Sequence, residues 1–276
     1  LSSAYTLEPT FGDMAPNQVM TSAREAAQKA IELDPTLAEA NTAVGISLMF
    51  NDWDPRAALP YLDKAISLDP ENSFPRLFRV WPLVMLNRND EALAEIRRAN
   101  ALDPLSSIIN TRLGTVFIYG GQYAQAERVL RKVVTADPGN LLAHFELAKT
   151  LAMEGKYDEA FAFFPDAIDA EAGTDTGVEA WAYGRAGKPD KARALYDRLL
   201  ARSKERYVSP LALASSAAAW GNIPLGLDYL EQGLRDHAFF LVFLRMDPEY
   251  GPLHKDPRYQ KVLRKVEEKW GTPASK

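Results

Sequence analysis

The sequence predicts an all-α solenoid in which short helical hairpins stack side by side, and three observations support this prediction. A closing motif recurs as AIELDP at 30–35, AISLDP at 65–70, ANALDP at 99–104 and VVTADP at 133–138. The prolines of successive motifs are separated by 35, 34 and 34 residues. Between the motifs, apolar residues follow helical spacing on either side of a short turn. A fixed period of this length is typical of repeats that bury their apolar faces on one another.

The segment 105–138 shows the hairpin most clearly. Gly120-Gly121 separates two stretches whose apolar residues have helical spacing, and Asp137-Pro138 ends the unit. Gly114 in the first helix and Ala126 in the second are small where the two helices have to approach most closely. We therefore expect larger side chains at these two positions to overpack the hairpin.

Extending this period along the chain predicts one continuous solenoid over 1–276, made of seven hairpins and a cap. The seventh hairpin carries Gly226 and Gly233 in its second helix, which weakens that helix. A charged final helix closes the array, because a solenoid needs a cap over its last apolar face. The expected units are 1–35, 36–70, 71–104, 105–138, 139–172, 173–206 and 207–240, with the cap at 241–276.

The hairpin layout, the period and the Asp-Pro motif resemble the tetratricopeptide repeat (TPR). This resemblance implies a right-handed superhelix whose concave face is lined by the first helices of the hairpins. The stretches DPLSSIINTRLG at 103–114 and LVFLRMDPEYGPLHKDPRYQKVLRKV at 241–266 look like the C-terminal TPR arrays of bacterial multidomain regulators. In that group the array follows a winged-helix domain, a kinase or an adenylate cyclase. Because the chain starts at LSSAYTLEP without a methionine, we expect it to be excised from such a regulator.

Composition limits the classes of partner. The chain is 47% hydrophobic and 25% charged, and no apolar run approaches the length of a membrane span, so we expect a soluble, cytoplasmic protein with no membrane partner. A net charge of −5 with no basic block disfavours direct binding of nucleic acid. The absence of cysteine excludes disulfides and thiolate metal sites.

Catalytic motifs are also missing from the sequence. The three histidines, His144, His237 and His254, are far apart and have no metal-ligand spacing. There is no GxSxG nucleophile motif, phosphate-binding loop or dinucleotide fingerprint, and none of the effector domains of the regulators is visible. We therefore expect no enzyme activity, no catalytic residue, no metal and no cofactor.

The repeat register predicts a partner-binding groove on the concave face. Its aromatic and apolar character, with three basic residues beside it, suits an extended or helical peptide, preferably one with acidic groups. The alternative for each aromatic residue is packing against a neighbouring helix. The expected groove residues are Ile46, Met49, Phe50, Leu77, Trp81, Met85, Arg112, Tyr119, Phe145, Lys149, Trp181 and Arg185.

Three functional hypotheses follow from this groove. The first is a non-catalytic protein-interaction module that binds a peptide segment, a partner domain or its own effector domain. The second is a sensor in which a small molecule enters a closed pocket lined by Trp81, Tyr119 and Trp181 and shifts the superhelix. The third is a self-association scaffold that forms a homodimer. An enclosed cavity favours the sensor, and an open channel favours the interaction module.

Overall fold

The computed structural model describes residues 16–164 and 173–270, with side chains from residue 24 onward. Within these ranges all regular elements are helical, and consecutive helices pack as antiparallel hairpins. The predicted all-α solenoid is therefore confirmed. The beginning of the first expected unit, the end of the fifth and the last six residues of the cap lie outside the described residues.

The first helices of the hairpins form a continuous row. Each contacts its own second helix, and α2, α4, α6, α8, α10 and α12 contact one another in this order. The α-helices are α1 (Pro16–Leu33), α2 (Ala38–Phe50), α3 (Pro55–Leu68), α4 (Ser73–Met85), α5 (Asn89–Leu102), α6 (Ser107–Tyr119), α7 (Tyr123–Ala136), α8 (Leu141–Met153), α9 (Tyr157–Phe163), α10 (Thr174–Arg185), α11 (Pro189–Arg202), α12 (Pro210–Ala219), α13 (Ile223–Arg235) and α14 (Pro257–Val266). Shorter 3-10 helices lie at Phe239–Phe243, Pro248–Leu253 and Glu267–Lys269. None of the described helices has the length and apolar character needed to cross a bilayer.

Local sequence explains where the helices begin. The Asn72 side chain accepts a hydrogen bond from the Phe74 backbone N–H at 3.0 Å, and Asn140 accepts one from Ala143 at the same distance. Such caps satisfy backbone donors that have no partner inside the first turn of a helix. The Asp-Pro motif before each cap ends the preceding helix, because proline cannot continue it.

A residue with positive φ occurs in the turn inside each hairpin. Glycine takes this conformation without strain and asparagine tolerates it, whereas a bulky residue rarely adopts it. The exception here is Trp53, whose ring stacks on His237 with centroids 3.8 Å apart. These turn residues are Trp53, Asn87, Gly121, Gly155, Gly187 and Gly221.

After α13 the chain turns back across the concave face. We call residues 237–270 the C-terminal segment. Phe239 of this segment stacks on Phe50 of α2 with ring centroids 4.2 Å apart. One hydrophobic cluster joins buried side chains of α2 and α4 to those of the segment. The groove predicted between the first helices is therefore partly filled by the chain itself.

The end of the C-terminal segment reaches the second hairpin. The indole Nε1 of Trp270 donates a hydrogen bond to the Trp53 carbonyl oxygen at 3.1 Å, across 217 positions of sequence. The Arg56 guanidinium donates to the Trp270 carbonyl oxygen, and His237 contacts the Asn51 carbonyl oxygen. These contacts close the superhelix by joining its C-terminal segment to its N-terminal part.

Candidate functional site

A cavity of about 340 Å³ lies between the first helices and the C-terminal segment. Its walls come from six helices of the concave row and from residues 239–250 of the segment. The lining residues are Ile46, Phe50, Phe74, Leu77, Phe78, Trp81, Ile108, Arg112, Thr115, Tyr119, Leu142, Phe145, Glu146, Lys149, Thr174, Leu211, Phe239, Phe240, Phe243, Asp247, Glu249 and Tyr250.

Aromatic rings form much of the wall. The ring of Phe243 lies edge-on to Trp81, with centroids 5.7 Å apart, and stacks on Tyr119 at 5.9 Å. The Arg112 guanidinium lies 5.3 Å from the centre of the Trp81 ring, a distance at which the cation is attracted to the aromatic face. Trp81, Tyr119 and Phe243 thus form one aromatic cluster.

The polar part of the cavity centres on Lys149, which is only 4% exposed. Its Nζ lies 3.5 Å from Asp247 Oδ1 and 3.9 Å from Glu249 Oε1. The Tyr119 hydroxyl donates a hydrogen bond to the same Asp247 oxygen at 2.9 Å. The C-terminal segment therefore places two acidic side chains beside a buried lysine on α8.

Two buried carboxylates retain an oxygen without a hydrogen-bond partner among the described residues. Glu146 is 4% exposed, and its Oε1 accepts a hydrogen bond from the Thr115 hydroxyl at 3.0 Å, whereas its Oε2 has no partner. Glu249 is 3% exposed, and its Oε2 is likewise without a partner. A buried polar atom in this state is costly.

Burial and mutual charge shift the pKa values in this cluster. Burial, reinforced by the charge of Asp247, raises the pKa of Glu249 to about 8. Burial alone would lower the pKa of Lys149, but the carboxylates of Glu249, Asp247 and Glu146 outweigh it and hold that pKa above its usual value. Burial also raises the pKa of Tyr119 well above its usual value, so this phenol remains a hydrogen-bond donor.

The mouth of the cavity is apolar and lies where the first helices begin. Phe74 and Ile108, in the first turns of α4 and α6, are 43% and 57% exposed and line the cavity. Thr174 begins α10 at the same end of the row. Exposed apolar side chains beside an aromatic cavity are a usual feature of binding sites.

The predicted groove residues divide into two sets. Eight of them line the cavity, among them Trp81, Tyr119 and Lys149. Lys149 is paired inside the chain, so it does not offer its charge to an acidic partner. The cavity-lining set is Ile46, Phe50, Leu77, Trp81, Arg112, Tyr119, Phe145 and Lys149.

The other four predicted residues lie away from the cavity lining. Met49, Met85 and Trp181 are buried, with exposed fractions of 0 to 2%. The Arg185 guanidinium lies over the Trp181 ring at 5.3 Å. These side chains make contacts within the solenoid rather than with the cavity.

Sequence reasoning missed several residues of the site. Phe74 and Ile108 lie on the same helix stripes as Trp81 and Arg112, one or two turns earlier, so the helical spacing contained the signal that would have found them. Glu249 and the rest of the C-terminal segment carried no such signal, because the segment is not part of the repeat. Within the described ranges, no group of histidine, aspartate and glutamate side chains could hold a metal ion.

Comparisons with known proteins agree with this architecture. Tetratricopeptide repeat family profiles match residues 111–174 and 179–204. Over 90 residues, a third of this chain, the sequence is 29% identical to anaphase-promoting complex subunit 3 from Schizosaccharomyces pombe. The match spans 13% of the length of that curated relative.

Two solved structures show the same fold at low sequence identity. A tetratricopeptide repeat protein from Parabacteroides merdae superimposes with a TM-score of 0.60 and 16% identity, over 96% of this chain and 98% of that protein. The Cut9-Hcn1 assembly of the anaphase-promoting complex gives a TM-score of 0.59 and 15% identity, over 87% of this chain and 45% of the matched chain. The period, the hairpin packing and these matches agree: the chain contains tetratricopeptide repeats and has the tetratricopeptide repeat fold.

Proposed function

We propose that the chain is a non-catalytic interaction module that binds a peptide segment of a partner protein at the mouth of the concave cavity. The observation that supports this most strongly is the way the C-terminal segment packs. A stretch of chain outside the repeats already lies on the concave face and packs Phe243 against both Trp81 and Tyr119. A face that accommodates one such stretch has the shape and apolar character to bind a second.

The cavity gives that second stretch a place to bind. A side chain of the partner enters between the aromatic walls, while its neighbours cover Phe74 and Ile108 at the mouth. Burying these exposed apolar groups favours association, and an inserted anchor side chain in a pocket is how peptide-binding grooves gain most of their affinity. The partner belongs either to a separate protein or, as the resemblance to bacterial regulators suggests, to an effector domain of the same polypeptide.

Selection from a displayed library of random peptides tests this proposal. We expect the wild-type chain to enrich a family of related peptides that bind with micromolar affinity in calorimetric titration. Ile108→Glu places a carboxylate at the mouth and should weaken binding at least about tenfold, equivalent to about 1.4 kcal/mol. Leu105→Glu is the matched control, because Leu105 lies three residues before Ile108 and is 93% exposed but does not line the cavity.

Two results would contradict the peptide-binding proposal. One is a selection that enriches no peptide family over a library panned against an unrelated protein. The other is a peptide whose affinity is reduced equally by Ile108→Glu and by Leu105→Glu, since that peptide would not use the mouth of the cavity.

A second candidate function is small-molecule sensing. The observation in its favour is that the cavity is bounded both by the helices and by the C-terminal segment, so a ligand there contacts both at once. Such a ligand shifts the balance between a closed arrangement, with the segment packed on the helices, and an open one only if it binds the two with different affinity. A small molecule that raises the melting temperature of the wild type, but not of Phe243→Ala, would favour this function over peptide binding.

A further inference from the structure

The cavity contains hydrogen-bond acceptors that the described part of the chain leaves without partners. Glu146 and Glu249 line it, both are more than nine-tenths buried, and the Oε2 atom of each has no partner among the described residues. An unsatisfied buried acceptor costs about 1–3 kcal/mol. A ligand that carries hydrogen-bond donors recovers this cost, whereas a purely apolar ligand would leave it in place.

The charges around the cavity favour a cation. Three acidic side chains line it, Glu146, Asp247 and Glu249, together with the two basic side chains Lys149 and Arg112. Lys149 approaches Asp247 Oδ1 and Glu249 Oε1, and Arg112 stacks on a tryptophan ring, so neither cation contacts the two unused oxygens. Glu249, whose pKa is about 8, is largely protonated at neutral pH in the chain alone; a bound ammonium group would favour its ionised form, whereas an anionic ligand would oppose it.

The walls suit the same kind of ligand. The side chains of Trp81, Tyr119, Phe145 and Phe243 all line the cavity. Aromatic faces attract ammonium groups, and they also pack well against an alkyl chain. The unpartnered acceptors, the acidic side chains and the aromatic walls therefore favour the same ligand chemistry, a cation with an apolar part.

We infer that the cavity binds an ammonium group attached to an apolar chain, with Glu146 Oε2 and Glu249 Oε2 as its acceptors. This inference rests on the proposed function when the ammonium group belongs to a peptide, as a lysine side chain or a free N-terminus. A free alkylamine presents the same chemistry and would occupy the same place.

The direct test compares n-butylammonium chloride with 1-butanol, which has the same alkyl chain without the charge. Each is titrated into the wild-type chain by ligand-observed NMR. We expect butylammonium to bind at least about tenfold more tightly than 1-butanol. Equal affinities would overturn the inference, because the two glutamates would then be satisfied by water alone.

Three variants locate the site. Glu146→Gln and Glu249→Gln keep the side-chain shape, and each should weaken butylammonium binding at least about tenfold. Glu71→Gln is the control, because Glu71 is exposed and does not line the cavity. Thermal melts check that the variants remain folded. Butylammonium binding that survives both cavity variants would place the ammonium elsewhere and would contradict the inference.

Peptides identified by library selection separate the sources of the ammonium group. Replacement of lysine by norleucine, which keeps the alkyl chain, weakens binding if a lysine enters the cavity. Acetylation weakens it if the N-terminus enters.

If butylammonium binds and no peptide does, a free amine is the ligand and the peptide-binding proposal fails alone. If peptides bind regardless of both changes and butylammonium binds no better than 1-butanol, the ammonium inference fails and the peptide-binding proposal stands.

Discussion

Single glycines set how closely neighbouring helices approach. A Cβ atom on Gly114 would lie 2.6 Å from Leu130 Cγ, and one on Gly184 would lie 2.4 Å from the Ala219 carbonyl oxygen. Leu130 can rotate or shift, whereas a backbone oxygen can move only if helix α12 moves with it. Gly184 is therefore the less tolerant of the two positions.

Gly184→Ala tests this close approach between α10 and α12. We expect it to lower the free energy of unfolding by about 1–3 kcal/mol, although alanine is the better helix former. Gly120→Ala is the control, because its added Cβ would have no neighbour closer than 3.4 Å. Chemical denaturation of both variants gives the comparison, and equal stabilities would show that α10 and α12 are not in close contact.

Glu249 makes stability depend on pH. Its pKa in the folded chain, about 8, exceeds its ordinary value of 4.5 because of burial and of Asp247, while Lys149 on α8 opposes the shift and Glu146 adds to it. Between these two pH values the folded chain binds a proton that the unfolded chain releases. The free energy of unfolding therefore falls as pH rises through this window. Below the window Glu249 is protonated in both states, and its ionisation no longer destabilises the folded chain.

Glu249→Gln removes this titration. We expect the melting temperature of the variant, relative to the wild type, to rise between about pH 4.5 and pH 8 and to level off above this range. Glu71→Gln provides the comparison, because Glu71 is exposed and does not line the cavity. A constant difference for Glu249→Gln would mean that Glu249 is ionised throughout, as an ordinary carboxylate would be.

At the residue scale, the sequence predicted the positions that recur in each repeat. Gly114 and Ala126 were expected at close-packing positions; Gly114 faces Leu130 across the hairpin, and Ala126 is fully buried. Glu249 and Asp247 were not expected at the site. Their roles depend on the path of a segment with no repeat register, and charged residues in such a stretch ordinarily face solvent.

At the scale of elements, the C-terminal segment determines what remains of the groove. Its 3-10 helix Phe239–Phe243 places Phe239 against α2 and Phe243 against α4 and α6. Its second 3-10 helix, Pro248–Leu253, begins at the acidic side chains beside Lys149. The segment therefore acts as cap, as core and as one wall of the cavity.

Phe243→Ala tests the contribution of this segment. Removing a buried phenylalanine should lower the free energy of unfolding by about 3–5 kcal/mol, and amide exchange should accelerate in residues 239–250. Phe240→Ala is the matched control, because Phe240 is only half-buried and should cost less. Similar losses for the two variants would contradict the packing of Phe243 against Trp81 and Tyr119.

The hairpins could be predicted because each is specified by local spacing, a turn residue and a cap. The predicted closing motifs fall at the ends of α1, α3, α5 and α7, within a residue or two. The return of the C-terminal segment across the concave face could not be predicted in this way. It depends on contacts between residues as distant as Trp53 and Trp270, and helical periodicity carries no information about them.

At the scale of the whole molecule, closure of the superhelix distinguishes this chain from an open array. Most solenoid repeats contact only their neighbours, so distant parts bend independently. Here the stacked pair Trp53 and His237, with the hydrogen bond from Trp270, joins the second hairpin to the C-terminal segment. The closed arrangement restricts bending and so keeps the cavity at a fixed width.

Spin labels measure this closure directly, and the absence of native cysteine simplifies the labelling. Labels on Lys64→Cys and Lys265→Cys, exposed positions on α3 and α14, should give one narrow distance distribution. Adding Trp270→Ala should broaden it and shift it to longer distances, whereas Lys269→Ala, at an exposed neighbour, should not. A broad distribution in the otherwise unchanged chain would contradict closure.

The central claim is that the concave cavity, and not another surface, receives the partner. A crystal structure of the chain with a library-selected peptide bound tests it most directly. We predict that one peptide side chain lies in the cavity between Trp81 and Phe145, with Phe243 still in place and the peptide backbone passing over Ile108. A peptide bound to the second helices on the outer face, with the cavity unchanged, would contradict the claim.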